Sequence, residues 1–127
     1  MEKNQKEVMI ALDEWIKSVA TLKPEVVVKH YSKDAVLWGT VSQIIRQGHD
    51  LIQDYFIGFL KKNPVDCIVR EPIIRIFDEI AINSGYYTFV FENNGERVNA
   101  EARYSFVYQL QNGKWMILDH HSSYIPE

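Results

Sequence analysis

Histidine and serine side chains lie close together near the end of the chain, in the stretch DHHSSY over residues 119–124. Histidine titrates near neutral pH, which suits acid–base chemistry, metal binding and hydrogen bonding. Because His120 and His121 are adjacent, a regular strand points them to opposite faces, and they cannot both bind one metal ion. Adjacent serine and histidine residues on a strand cannot form a nucleophilic pair, and the sequence has no GxSxG elbow. The stretch therefore predicts polar groups at the end of a strand and no metal site.

Arg103 is the second candidate for chemistry. It lies in RVNAEARYSFVYQL, whose alternation places it on one face with Asn99, Glu101 and Ser105. If this face lines a cavity, the guanidinium group can bind a carboxylate through two parallel hydrogen bonds. If the face lies outside, Arg103 pairs with Glu101 or belongs to a subunit interface. Alternation leaves both alternatives open, because it does not tell which face is buried.

The first half of the chain predicts the helices that would cover such a site. Residues 4–20 have apolar side chains at the spacing of an amphipathic helix. Pro24 suits the first turn of a short helix, PEVVVKHY, and DAVLWG predicts a short strand after it. Asp50 is a suitable N-cap for the helix LIQDYFIGFLKK, which Asn63 and Pro64 end. VSQIIRQ, just before that helix, is a candidate for a further short strand.

After Pro64 the apolar period changes from helical to two residues, which is typical of β-strands. Turn signals at Asp78-Glu79, ENNGE and QNGK separate about four long strands. Pro72 indicates a bulge or an edge position in the first of them. Helices followed by a strand meander form an α+β pattern, with helices packed on one face of a curved, mainly antiparallel sheet.

Length and composition limit the class of protein. The chain has 127 residues and a net charge of −3, which fits one domain spanning residues 1–127. No block of Lys and Arg indicates a nucleic-acid partner, and the single cysteine, Cys67, excludes an internal disulfide. The N-terminus lacks the apolar region of a signal peptide, and no apolar run is long enough to span a bilayer. We therefore expect a cytoplasmic protein with no membrane partner and no cofactor.

Several motifs occur in an informative order, namely HYSKDAVLWG, RQGHDLIQDYF, EPIIRIF, GYYTFVF, ARYSFVY, NGKW and HHSSYIP. Together they resemble the nuclear transport factor 2-like, or SnoaL-like, superfamily. The resemblance is strongest to the association (hub) domain of calcium/calmodulin-dependent protein kinase II and its stand-alone bacterial relatives. It implies a cone-shaped α+β domain, a pocket between helices and sheet, and a homo-oligomer, with a dimer on the outer sheet face as the first expectation. No kinase activity is expected, because 127 residues leave no room for a kinase domain.

The resemblance also implies a ligand pocket lined by aromatic residues with polar tips and by polar groups of the strands. Its candidate residues are Tyr31, Trp38, Tyr55, Arg103, His121 and Ser122. His121 matches the histidine of the hub's terminal motif and is, with Arg103, a candidate catalytic residue. The alternative is a structural histidine, bonded to a neighbouring strand or to Tyr31. The hub has pocket arginines at three positions that are occupied here by Thr88, by Phe106 or Ser105, and by Ser122, which puts the hub's own ligand in doubt.

Two functions from different classes follow. The first is an oligomerising domain whose pocket binds a small organic ligand, with an acidic ligand among the candidates. The second is a small SnoaL-like isomerase, dehydratase or cyclase, with His121 as proton carrier and Arg103 as anion stabiliser. A ketosteroid-isomerase-like mechanism is disfavoured, because Gly39 and Trp15 stand where its carboxylate base and its tyrosine belong. We favour assembly and binding, and convergence of His121, Arg103 and a tyrosine in one cavity would favour the enzyme.

Overall fold

The structure is a computed structural model that describes residues 1–126. Over this range the helices are α1 (Lys3–Ala20), α2 (Pro24–Val27) and α3 (His49–Phe59). The strands are β1 (Tyr31–Trp38), β2 (Arg46–Gln47), β3 (Pro64–Phe77), β4 (Ile80–Asn93), β5 (Glu96–Gln111) and β6 (Lys114–Tyr124). Short 3-10 turns, Val28–His30 and Leu60–Lys62, follow α2 and α3. None of the described helices has both the length and the apolar character needed to cross a membrane.

The strands form one sheet in the order β2-β1-β6-β5-β4-β3. All neighbouring pairs are antiparallel except β1 and β6, which are parallel. The hairpins β4–β5 and β5–β6 turn at Asn94-Gly95 and Asn112-Gly113, where both residues of each pair have positive φ. Asparagine and glycine tolerate this conformation, which matches the twist of a hairpin. The predicted α+β architecture, with helices packed on a mainly antiparallel sheet, is confirmed.

Several boundaries differ from the predictions, and the short helix predicted over PEVVVKHY ends already at Val27. Strand β1 begins at Tyr31 rather than at Asp34, because its pairing with β6 already starts between Tyr31 and Ile117. Helix α3 begins at His49 with Gly48 as N-cap, so Asp50 lies in the first turn and is not the cap. A carboxylate in the first turn still interacts favourably with the helix dipole. The candidate strand VSQIIRQ is reduced to the two residues of β2.

Burial on β5 decides which face of the sheet is inside. Tyr104, Phe106 and Tyr108 are buried, whereas Glu101 and Arg103 are exposed. Helix α1 packs over the inner face of the sheet with a stripe of buried residues, namely Val8, Leu12, Trp15 and Val19. The polar face that contains Arg103 is therefore the outer face, on the side of the sheet away from the helices.

The first long strand is interrupted at Glu71 and Pro72. The pairing register between β3 and β4 shifts between Arg70 and Ile73, and Glu71 has a φ of 51°. β3 is also an edge strand of the sheet, so both expectations for Pro72 are confirmed. Opposite the bulge, a Cβ at Gly85 would lie 3.1 Å from the Arg70 carbonyl oxygen, and this close backbone approach favours glycine.

Candidate functional site

The interior holds a chain of hydrogen-bonded side chains centred on His120. Trp15 Nε1 on α1 donates to the hydroxyl oxygen of Tyr31 across 3.2 Å. The Tyr31 hydroxyl lies 2.8 Å from Nδ1 of His120, and the Tyr87 hydroxyl lies 3.1 Å from its Nε2. All four side chains are at least 97% buried. The network therefore connects the first helix, the first strand and the last strand through the core.

The partners of Tyr31 assign the tautomer of His120. The indole of Trp15 can only donate, so the remaining acceptor for the Tyr31 hydroxyl proton is Nδ1 of His120. His120 then holds its own proton on Nε2 and donates it to Tyr87, whose hydroxyl has Ser122 as a further neighbour. The opposite tautomer would leave the Tyr31 hydroxyl proton buried without an acceptor, which costs about 1–3 kcal/mol.

Aromatic rings enclose the His120 imidazole on its remaining sides. The ring stacks on Phe106 at a centroid distance of 3.9 Å and meets Trp15 edge-on at 5.4 Å. Burial and, to a smaller extent, the neighbouring His121 lower the pKa of His120 to about 3. His120 is therefore neutral near pH 7, and a proton added to it would have no counter-charge in the core.

A cavity lies beside this network, between α1, α3 and the inner face of the sheet. Its volume is about 10 Å³, and its wall includes Tyr55, Tyr87, His120 and Ser122. About this much space holds one water molecule, whereas ligand pockets commonly measure about 300–1,000 Å³. No aspartate, glutamate, lysine or arginine is among the described residues that line it, and none of the described residues form a cluster suited to a metal ion. An organic ligand would enter only after a side chain of the wall moves.

Tyr55 on α3 is the wall residue nearest the loop after β1. It is 8% exposed, and burial raises its pKa to about 12, an effect that the Val41 and Thr40 backbone groups partly offset. Gly39 makes room for this ring, since a Cβ on Gly39 would lie 2.5 Å from Cζ of Tyr55. The phenol is therefore held between the helix and the loop by close packing.

Replacing Gly39 with alanine is expected to destabilise the protein by about 1–3 kcal/mol, because the added methyl group pushes the Tyr55 ring out of the cavity wall. Urea unfolding followed by circular dichroism measures the change. Gly58→Ala on α3 is the matched control, since its Cβ meets nothing within 4 Å. Alanine in a helix is expected to stabilise by up to about 1 kcal/mol there. Equal effects of the two substitutions would contradict the assigned contact with Tyr55.

The predicted site residues divide between the two faces of the sheet. Tyr55 and Ser122 line the interior cavity, and the Ser122 hydroxyl pairs with that of Thr40. Tyr31 lies behind the cavity, bonded to His120. The structure thus brings these three predicted residues together inside the core.

Trp38, Arg103 and His121 lie on the outer face, which corrects the expectation that they share the cavity. Trp38 is 47% exposed and packs edge-on against His121 at a centroid distance of 6.4 Å. The physical reason is a bulge in β6, where Val107 and Tyr108 pair with Asp119 and Ile117 and leave out the residue between. A bulge reverses the alternation of faces, so His120 rather than His121 follows the buried Ile117 on the inner face.

Sequence reasoning did not identify Tyr87 as a member of the network, and it did not assign a hydrogen bond to Trp15. It also ranked His120 below His121 as a candidate. The apolar stripe of α1 placed Trp15 in the core but gave no indication that its indole donates to Tyr31. The stretch GYYTFVF contains Tyr87 next to Tyr86, and alternation puts one of the two inside. Burial then selects Tyr87, which is 1% exposed.

The outer face combines apolar side chains with charges that have no ion-pair partner. Its most exposed apolar residues are Ile68, Ile73 and Phe77 on β3 and Trp38 on β1. In residues 1–126 the ion pairs are Arg46–Asp54 and Arg97–Glu92, and neither involves Arg103 or Glu101. The outer face therefore exposes more than scattered single apolar side chains.

Solved structures of other proteins resemble this fold. A Xanthomonas campestris structure assigned to the calcium/calmodulin dependent protein kinase II association domain is 39% identical, with a TM-score of 0.90 over 95% of this chain and 87% of that one. A Nostoc punctiforme protein of unknown function with a cystatin-like fold is 19% identical, with a TM-score of 0.82 over 100% and 96% of the two chains. An NTF2-like protein of unknown function from Pseudomonas putida is 12% identical, with a TM-score of 0.78 over 94% and 85%. No curated protein matches the sequence.

The family comparison agrees with the resemblance of the motifs. The model of the calcium/calmodulin dependent protein kinase II association domain matches residues 4–126, which is nearly the whole chain. The structural neighbours add that the fold is NTF2-like. The chain therefore belongs to the calcium/calmodulin dependent protein kinase II association domain family.

Proposed function

We propose that this domain is an assembly module that forms a homodimer through the outer face of its sheet. The observation behind the proposal is the exposure of apolar side chains on that face, with Ile73 61% and Phe77 56% exposed. Monomeric proteins seldom leave contiguous apolar patches in water, so such a face normally has a partner. Membership of an association-domain family supports a second copy of the chain as that partner.

The size of the sheet suits such an interface. A standard interface covers about 800 Å² on each partner, and the whole chain has an accessible surface of 7567 Å². The exposed residues belong to strands at both sides of the sheet, from Trp38 on β1 to Ile73 on β3. Half-buried Ile82 and Val107 lie between them and pair with each other on the same face. An apolar surface therefore crosses the sheet, with charged residues among its apolar ones.

The enzyme alternative gains no support from the interior. Acid–base catalysis needs a group in the cavity whose pKa lies near the working pH. His120 is the histidine beside the cavity, and its pKa is lowered to about 3. His121 and Arg103, the candidate catalytic residues, lie on the outer face and do not join a tyrosine in the interior cavity. We therefore propose binding of a small organic ligand only as a secondary property, which would require Tyr55 to move.

The dimer is tested by molar mass in solution. Light scattering after size-exclusion chromatography is expected to give twice the 14.9 kDa of one chain. Ile73→Asp on the outer face is expected to give a folded monomer, because its carboxylate replaces an apolar contact and must lose its hydration in the interface. Ile10→Asp is the matched control, since Ile10 is 55% exposed on α1 and lies away from the sheet's outer face.

The two variants should therefore differ in mass, and both should keep the wild-type circular dichroism spectrum. A monomeric wild-type protein at about 100 μM, well above the Kd of a stable dimer, would reject the proposal. If Ile10→Asp gives a monomer while Ile73→Asp remains a dimer, the interface lies on the helical side of the protein instead.

A further inference from the structure

We propose that the surface around Arg103 is a carboxylate-binding site, and that Glu101 of a second copy fills it. The two residues would form two equivalent ion pairs across the twofold axis of the homodimer. This inference rests on the proposed function, because it assigns specific contacts to the proposed interface. It adds the chemistry that would fix the register of the two sheets.

The surroundings of Arg103 form a shallow depression on the sheet at the bulge. Its volume is about 590 Å³, and Ile73, Ser84 and Tyr86 line it beside Arg103. Among residues 1–126 the Arg103 guanidinium group has one long hydrogen bond, from Nη2 to the Ser123 hydroxyl at 3.5 Å. It is therefore available to a carboxylate that approaches from outside, in the bidentate geometry that arginine prefers.

Charged side chains other than Arg103 lie at or near this depression. Arg70 adds a second cation, held over the Tyr86 ring at 4.8 Å from its centroid. Glu71 also lines the depression and is the local carboxylate that could compete. Glu71 forms no ion pair with Arg103, because the ion pairs among the described residues are Arg46–Asp54 and Arg97–Glu92. Because neither Glu71 nor Glu101 of the same chain pairs with Arg103, its guanidinium group still attracts a carboxylate that approaches from outside.

Glu101 is the outer-face carboxylate best placed to meet that attraction. It lies two residues from Arg103 on the same face of β5, a separation of about 7 Å along a strand. It is exposed, and it takes part in no ion pair of the described chain. Of the other carboxylates of the face, Asp66 accepts a hydrogen bond from the Cys67 amide. Burial raises the pKa of Asp119, and the neighbouring His121 partly offsets that rise.

Symmetry turns this single pair of residues into two contacts. In an isologous dimer, a residue that contacts a second residue of the partner is contacted by it in return. If the axis crosses β5 between Glu101 and Arg103, each arginine faces the partner's glutamate. A displacement by one residue pair would place like charges opposite each other, which costs free energy and opposes other registers. Both charges would thus have a role in specifying the dimer.

Charge exchange tests the pairing. Arg103→Glu and Glu101→Arg are each expected to weaken the dimer by about tenfold or more in Kd, because each places like charges together. The double variant, which exchanges the two charges, is expected to return the Kd to within a few-fold of the wild type. Lys23→Glu, an exposed residue between α1 and α2, is the control and should leave the Kd unchanged. Sedimentation equilibrium measures all four variants.

The outcomes separate this inference from the proposed function. If the single reversals leave the Kd unchanged while Ile73→Asp still gives a monomer, the ion pairs are absent and the dimer stands. If both reversals weaken the dimer and the exchange does not restore it, Arg103 meets a different carboxylate and the assignment to Glu101 is wrong. If acetate shifts the Arg103 side-chain NMR signals in a dimer that neither reversal affects, the site takes a free carboxylate instead.

Discussion

The protein is expected to lose stability steeply as the pH falls below 6.5, the ordinary pKa of histidine. The folded pKa of His120 is about 3, so between these two values the unfolded chain binds a proton that the folded chain does not. The contribution of the neutral His120 imidazole to the unfolding free energy is thus fully present above pH 6.5 and is lost as the pH falls toward 3. The expected slope is about 1.4 kcal/mol of unfolding free energy per pH unit.

Urea unfolding at several values between about pH 7.5 and about pH 4.5 measures this slope. His120→Gln removes the titrating group, so its slope is expected to be smaller, although the variant is less stable at every pH. His121→Gln is the control, because His121 is exposed and is only the smaller cause of the lowered His120 pKa, so the slope is expected to stay close to that of the wild type. His30, whose pKa burial also lowers, adds a slope of the same sign in all three proteins and does not affect the comparison.

Protein concentration must be equal in these experiments, since a dimer's apparent stability depends on it. If His120→Gln and the wild type show the same slope, His120 binds protons in the folded state. The network of Tyr31, His120 and Tyr87 would then be open to water, contrary to the structure.

Much of the fold could be predicted because its elements have strong local signals. The stripe of α1, the two Asn-Gly turns and the alternation of β5 each depend on neighbouring residues alone. The start of β1 and the shortness of β2 could not be predicted this way, because they depend on pairing with strands distant in sequence. The parallel contact of β1 with β6 joins residues such as Trp38 and His121 across most of the chain.

The candidate site was less predictable than the fold, for a related reason. A strand's faces follow from alternation only when its register is unbroken, and the bulge in β6 reverses the faces beyond Ile117. The terminal motif of the family matched His121 in sequence. Because of the bulge, His120 and not His121 occupies the interior. Arg103 shows the other limit, because a clean alternation on β5 defined its face but could not tell inside from outside.

Trp15→Ala is expected to destabilise the protein by about 3–5 kcal/mol, a large part of the typical total of about 5–15 kcal/mol. The indole is 1% exposed, and it lies against five other rings of the core, namely those of Phe56, Tyr87, Phe89, Phe106 and His120. It stacks with Tyr87 at 6.3 Å, meets Phe106 edge-on at 5.3 Å, and donates to Tyr31. Removing it leaves a cavity between helix and sheet and also takes the donor from the buried Tyr31 hydroxyl.

Ile10→Ala on the same helix is the control, because Ile10 is exposed and its loss should change stability by less than about 0.5 kcal/mol. If Trp15→Ala does not fold, Trp15→Phe preserves a ring but not the N–H group. Its expected cost is about 1–3 kcal/mol, from the smaller ring and the lost hydrogen bond. The decisive result is the order of the losses in unfolding free energy. We expect the largest loss for Trp15→Ala, a smaller one for Trp15→Phe and the smallest for Ile10→Ala. A Trp15→Phe variant as stable as Ile10→Ala would mean that the helix is held by its apolar stripe alone, and that the hydrogen bond to Tyr31 contributes little to the core.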